Sequence, residues 1–378
     1  MSTQLDDDVH RAVVADGGDV EEAARRHALA RAPLLHGAEL DLLVRRVVAR
    51  VQGLGPLEAL LADPTVTEVM VNGDRGVWVE RDGRLEQAEL ALDAATVLHL
   101  IERVVAPLGR RVDRSSPIVD ARLPSGARVH AVVPPLAIDG PCLTIRQFAT
   151  AAVPLSAFAP PPVIELLEAA VRSRANILVS GATSAGKTTL LNALAGAAEP
   201  DERIVTIEDA AELSLPGTHV VRLEARPRSA DGAGEVTVRD LVRAALRMRP
   251  DRLVVGEVRG PEALDMVMAM STGHDGSLST CHANGALDAL RRLEVMVLQG
   301  GGELPLRAVR ELVQSALDLV VHVERGLRGR RRVAEVVEVL PPGRGERVRT
   351  LAGTSGVVAE RSRPPRSVGV EASPERAR

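Results

Sequence analysis

The sequence predicts an α/β protein: a larger domain built on a mainly parallel sheet covered by helices, preceded by a smaller α+β domain. Two observations carry this. From about residue 164 to 325 short apolar runs alternate with amphipathic stretches of helical spacing, the pattern of strands recrossed by helices. Ahead of them, the runs TEVMVNG, GVWVERDG, ARLPSGARVHAVVPP and CLTIRQF alternate in polarity between N-G and D-G turn signals, which suits a small sheet domain. At 378 residues the chain is also too long for one small core.

Taken in order, residues 1–55 mix Ala, Arg, Glu and Leu at helical spacing, and LDLLVRRVVARV (40–51) reads as a core-facing helix with a solvated basic face. Residues 56–150 form the predicted α+β domain. AAVPLSAFAPPPV (151–163), rich in Ala and Pro, suits a linker. The parallel-sheet domain spans 164–340. Residues 341–378, mostly Pro, Gly, Ser and Arg with little to bury, are expected to be a disordered tail.

Hydrophobic residues make up 45% of the chain but aromatics only 1%, so the core must be aliphatic. The lack of stacking side chains and a net charge of -4 argue against nucleic acid as a partner. Cys142 and Cys281 fit no metal-ligand spacing and read as small buried hydrophobes. The first residues, MSTQLDDDVHR, carry no apolar run, so no signal peptide is expected, and no run is long enough to span a membrane.

One motif carries chemistry by itself. Gly181, Ala182, Thr183, Ser184, Ala185, Gly186, Lys187 and Thr188 spell G-x-x-x-x-G-K-T, followed by Thr189. In such a loop backbone N–H groups cradle phosphates, the lysine reaches the terminal phosphates and the Thr hydroxyl binds magnesium. The context fits, because NILVS (176–180) reads as a buried strand and TLLNALA (189–195) as the helix whose N-terminus faces the anion. Lys187 is the one lysine among 47 basic residues, the rest being arginine. A compact ammonium fits where a planar guanidinium fork would not.

Such a loop needs a magnesium-side acid, a group for the attacking water and a sensor of the terminal phosphate. RIVTIED (203–209) is an apolar strand ending in Glu208 and Asp209, and RLVVGE (252–257) one ending in Gly256 and Glu257. Ligands of open parallel sheets bind at the carboxyl ends of strands, where these acids would collect. Because Gly256 stands where many such loops' partner strands have Asp, Glu208 or Asp209 is expected to substitute. His274 and His282 flank the short strand LSTC, and an imidazole donating to the terminal phosphate is expected there rather than a zinc ligand.

With these segments placed, the sequence resembles the secretion ATPases of type II and type IV systems, and is most similar to the CpaF-like ATPases of tight-adherence pili. GATSAGKTT, TIEDAAEL, GEVRG and GHDGSLSTCHAN look like the family's Walker A, Asp, Walker B and His boxes. LVRAALRMRPDRLVVGEVRG, EALDMVMAMSTGHDGS and, earlier, PLEALLADPTVTEVMVNG, SSPIVDARLPSGARVHAVVPP and LTIRQF extend the likeness over about 50–340. The resemblance implies a RecA-like P-loop domain, ATP with Mg2+, and a cytoplasmic homo-hexamer at the inner face of the membrane. It also implies a polytopic inner-membrane platform protein as partner. It gives Arg128 and Arg146, with Arg122 a weaker candidate, as arginines approaching the γ-phosphate, and Arg259 as a possible subunit contact. Glu257, Glu208 and His282 are the expected catalytic side chains, and Thr188 and Glu208 the magnesium side. A helicase-like nucleic-acid motor and an ATP-binding regulator without turnover are the alternatives.

The lone lysine generates a test. Lys187→Arg is expected to depress ATP hydrolysis nearly as much as Lys187→Ala, although it keeps the charge; a phosphate-release assay in which the Arg variant keeps most of the parent rate would refute the steric reading.

Overall fold

A computed structural model describes residues 2–366 apart from 17, 52, 82, 109, 124, 148–152, 218, 227–233, 302, 327–329 and 344. The chain divides into two units, Met1–Ala149 and Thr150–Arg378.

The first unit opens with three helices, α1 (Ser2–Asp16), α2 (Val20–Arg31) and α3 (Gly37–Val51). They enclose a small core of their own that includes Val9, Val13, Ala24, Ala28, Leu43 and Val47. Asp19 caps α2 by accepting from Glu22 N, and Asp6 receives Arg46 across the bundle at 2.7 Å. A short helix α4 (Glu58–Leu61) leads to β1 (Val66–Asn72), β2 (Val77–Arg81), β3 (Arg84–Gln87), helix α5 (Ala94–Val105), β4 (Ile118–Arg122), β5 (Arg128–Val132) and β6 (Cys142–Arg146). The six strands make one antiparallel sheet in the order β3-β2-β1-β6-β5-β4. Alternate residues Val69, Val129 and Ile145 point into a core shared with Leu100, Ile101 and Val104 of α5. The opposite face is mixed, with Glu68, Asp120, His130 and Thr144 beside Met70, Trp78 and Ile118, and is the more solvated side of the antiparallel sheet.

The second unit is a nine-stranded sheet in the order β15-β14-β13-β12-β7-β11-β10-β8-β9. Its elements are α6 (Pro161–Arg172), β7 (Ile177–Gly181), α7 (Lys187–Ala195), β8 (Ile204–Glu208), β9 (Val220–Glu224), α8 (Val238–Ala245), β10 (Arg252–Val255), α9 (Glu262–Ser271) and β11 (Leu278–His282), then α10 (Ala286–Gln299), α11 (Leu306–Ala316), β12 (Leu319–Arg325), β13 (Arg331–Val339), β14 (Val348–Gly353) and β15 (Gly356–Val357). Strands β12, β7, β11, β10, β8 and β9 run parallel, and β13 to β15 return antiparallel. Every residue of β7, β8 and β10 is buried, which is why these strands read as continuous apolar runs. Cys281 is buried in this core and Cys142 is half-buried; both are free thiols.

Two expectations are corrected. The proposed linker 151–163 is, from Val153 on, part of the second unit: Leu155, Phe158 and Val163 are buried beside Leu190 and Leu191. Pro161 and Pro162 there open α6, where their missing N–H groups would have had no helical partner. Residues 151 and 152 lie outside the described residues. The expected disordered tail is likewise ordered over much of 341–366: β14 and β15 extend the sheet, and Leu351 and Ala352 are fully buried. Residues 367–378 lie outside the described residues.

What the composition of this tail concealed is that its arginines find buried carboxylates. Asp318, 2% exposed, accepts Arg363 at 2.9 Å, Arg366 at 2.5 Å and the backbone N–H of Asn176 at 2.8 Å. Arg363 and Arg366 also donate to the carbonyls of Gln314 and Ser315, closing the C-terminal end of α11. Glu338, fully buried, accepts the N–H groups of Ser362 and Arg363 and the guanidinium of Arg349. A charge buried by removal of its partner destabilises strongly. Asp318→Ala is therefore expected to lower the unfolding free energy by roughly 3 to 5 kcal/mol. Arg332→Ala, which breaks an exposed pair with Glu324, should change it by under about 1 kcal/mol. Urea unfolding followed by circular dichroism ranks the two, and equal effects would contradict the anchoring role of Asp318.

Candidate nucleotide site

The parallel order places the carboxyl ends of β7, β11, β10 and β8 side by side on one edge. From β7 the chain enters the phosphate loop, in which Ala182, Thr183 and Ser184 are exposed and Ala185 is anchored in the core. Ser184 at φ 59° and Gly186 at φ 98° bend it, and glycine tolerates the second conformation without strain. Lys187, Thr188 and Thr189 form the first turn of α7. Loop and helix N-terminus together make an anion cradle.

Lys187 is buried despite its charge, 7% exposed. Its Nζ donates to Ala182 O at 3.1 Å and lies 3.1 Å from His282 Nδ1. His282 Nε2 is in turn 2.8 Å from Glu257 Oε1. With the ammonium at Nδ1, the ring proton belongs on Nε2, although Glu257 Oε1 accepts no hydrogen bond among the described residues, so imidazole and carboxylate are in contact without being joined by one. Burial, reinforced by the cations Lys187, Arg259 and Arg292, holds His282 below the usual imidazole range against the pull of Glu257, so the ring is neutral at neutral pH. Glu257 is held on its other side by Arg259, whose Nε donates to Oε2 at 2.8 Å; Arg259 also lies 4.0 Å from the exposed Asp209. Within the chain Arg259 orients Glu257. His274 sits at the opposite end of β11 from His282, its carbonyl accepting Ser277 Oγ.

Glu208, at the end of β8, is 3% exposed and accepts the N–H groups of Glu212 and Leu213 on Oε1 at 2.8 and 2.9 Å. Its Oε2 is buried and, among the described residues, has no hydrogen-bond partner. Burial pushes its pKa up to about 7, outweighing those two N–H groups. The same side chain explains Gly256: a Cβ there would lie 2.8 Å from Glu208 Cγ. Glu208 thus fills the space in front of the glycine, and an Asp at 256 is sterically excluded. Glu208 lies two strands beyond the neighbour of β7, on the same carboxyl edge as the phosphate cradle; a buried carboxylate oxygen lacking a partner is the donor type magnesium takes, as is the hydroxyl of Thr188 in the first turn of α7.

In the first unit, the three candidate arginines fall into one row. Arg122 pairs with Arg128 across β4 and β5, Arg128 with Arg146 across β5 and β6, and Arg146 with Glu68 across β6 and β1. Opposed residues share a face, here the one opposite Val129 and Ile145. Like charges placed so are destabilising in themselves. Asp120 offsets part of this at 3.5 Å from Arg128, and Arg146 is exposed. Register, which decides this alignment, was not readable from the segments taken singly.

Fold and loop define a P-loop ATPase with a RecA-like sheet, and comparison with known proteins agrees. The chain belongs to the family described as Type II/IV secretion system protein, whose profile matches residues 50–344. It is 42% identical over 315 residues to a candidate conjugal transfer protein of Mycobacterium tuberculosis strain H37Rv, covering 80% of this chain and 89% of the relative. It is 39% identical over 318 residues to the type IV secretion system protein PtlH of Bordetella pertussis, covering 75% and 93%. In fold it is similar to the pilus retraction motor PilT with bound ADP (TM-score 0.56, 20% identity, 76% of this chain and 83% of that one). It is similar also to the ATPase DotB of Legionella pneumophila (TM-score 0.55, 22% identity, 75% and 79%). Among the described residues no helix is long and apolar enough to cross a membrane.

Glu208 supplies a pH test. A carboxyl whose folded pKa is raised binds its proton longer in the folded than in the unfolded chain, so its contribution to stability falls as pH rises from about 4.5 to about 7. That loss amounts to roughly 3 kcal/mol at most, and Glu208→Gln removes it. The variant should therefore gain stability relative to the parent between pH 5 and pH 8 in paired thermal melts; a constant difference would show that Glu208 is not a buried acid.

Proposed function

We propose that this chain is the ATP-hydrolysing subunit of a hexameric motor that powers pilus assembly or protein secretion, working at the cytoplasmic face of the inner membrane with a polytopic platform protein. The motif phrases favour the CpaF-like branch of the family. The observation that carries the reading is the close succession Lys187, His282, Glu257 and Arg259 at the phosphate loop, with His282 Nε2 2.8 Å from Glu257 Oε1 and Arg259 donating to Oε2. A P-loop that only bound nucleotide would have no need of an oriented carboxylate there.

In this reading Lys187 exchanges Ala182 O and His282 for the β- and γ-phosphates. Glu257, held between a neutral imidazole and a guanidinium, orients the attacking water and receives its proton. His282, carrying its proton on Nε2, senses whether Lys187 is engaged and passes that state to Glu257. Glu208 and Thr188 are the residues that would hold magnesium, which would neutralise charge on the phosphates. Arg128 and Arg146, presented as a row on the first unit's sheet, meet the charge developing on the γ-phosphate. The mutual repulsion of that row is relieved by an anion.

Glu257→Gln should leave ATP affinity within a few-fold of the parent and lower kcat by on the order of a hundredfold or more. His282→Ala should give a milder loss, since a neutral donor contributes less than a base. Arg128→Ala and Arg146→Ala should reduce turnover more than binding. Turnover retained by Glu257→Gln would move the base to Glu208 or Asp209, absence of phosphate release from the parent would leave a nucleotide-binding regulator, and a rate stimulated by DNA would revive a nucleic-acid motor.

A further inference from the structure

Strand β12 runs parallel to β7, so its last residue, Arg325, lies on the same edge as the phosphate loop. The first residue of β13, Arg331, is its cross-strand partner. Opposed positions share a face. Two residues inward that face carries the paired Val323 and Val333, both buried in the core that holds Ala185 of the loop and Leu190 of α7. The two arginines therefore extend from the α7 side of the sheet at the loop's own edge. Glu324 and Arg332 pair with each other at 2.5 Å from the intervening positions, and so from the other face.

The hairpin also touches the loop. A Cβ at Gly181 would lie 2.4 Å from Val323 O, and one at Gly186 would lie 2.6 Å from Arg331 Cδ and 3.3 Å from its Nε. The stem of Arg331 thus rests on the residue that precedes Lys187, with both arginines exposed to solvent. Two guanidinium groups at opposed positions repel each other, and here they stand beside an ammonium and a helix N-terminus of the same sign. That concentration of positive charge matches a polyanion with more than one phosphate.

We propose that Arg325 and Arg331 form a second cation pair of the nucleotide site, supplied by the same chain, which grips the α- and β-phosphates at the outer rim of the loop. The inference rests on the motor reading above and deepens it. Because ADP and ATP share these phosphates, the pair strengthens both alike and governs how long the diphosphate product is held, leaving bond cleavage to the groups around Glu257.

Titration calorimetry on the full-length chain with MgADP and with a non-hydrolysable MgATP analogue tests this. Arg331→Ala should weaken both ligands by a similar factor, about tenfold for the loss of a charge-assisted contact, with the double variant Arg325→Ala/Arg331→Ala weaker still. Arg331→Lys should recover part of the loss. Arg332→Ala, on the other face, should bind as the parent does. If the double variant fails to fold, Arg325→Ala alone, at an exposed strand end, reads the same contact. ADP affinity within twofold of the parent in a folded Arg331→Ala, or a loss confined to the triphosphate, overturns the proposal. A parent chain that binds neither ligand overturns the motor reading and the inference together, whereas parent binding with unaltered variants overturns the inference alone.

Discussion

Strands that run the same way cannot be joined by tight turns, so each must be recrossed by a helix or a long connection, and all their carboxyl ends then gather on one edge. In the second unit this constraint assembles the site. Lys187, Glu208, Glu257 and His282 are separated by as many as 95 residues, yet each follows the end of a parallel strand. Nothing in the chemistry of the individual groups would bring them together. The helices that cover the sheet also exclude water from its centre, which is why a lysine beside a histidine and a carboxyl pushed up to about 7 can coexist within one edge.

The same burial dictates how the chain uses charge at the opposite end of the strands. Asp318, Glu338 and Arg252 are all essentially buried, and each is held by several partners. Arg252 is fully enclosed and paired with Glu202, while Asp318 and Glu338 collect arginines and N–H groups from the last described residues. A single buried ion pair contributes little net stability against an apolar alternative. Its specificity is another matter, since a buried carboxylate with one set of donors accepts only the chain path that supplies them.

Much of this was legible beforehand. The phosphate loop, its strand and helix, and the acids at 208 and 257 could be read because a buried parallel strand leaves a continuous apolar run and because the loop's glycines and lone lysine have no substitutes. The Gly256 anomaly directed attention to Glu208, and only coordinates show that the two are in contact: the Glu208 Cγ occupies the space of a Cβ. The segments at 151–163 and 341–366 were misjudged because composition weighs Pro, Gly and Arg as solvent-seeking. Leu155 and Phe158 stand among Ala and Pro, and Leu351 between Thr350 and Ala352, too sparse to set up a period.

The sequence by itself determined which elements form and which residue types can handle phosphate, since both follow from local periodicity and from side-chain shape. Tertiary structure alone decided the pairings: Arg259 with Glu257, Lys187 with His282, Arg363 and Arg366 with Asp318, and the rows Arg122–Arg128–Arg146 and Arg325–Arg331. With 47 basic residues, nearly all arginine, residue type carries almost no information about partner. Strand register and burial supply it, because a one-residue shift would turn each arginine to the other face of its sheet.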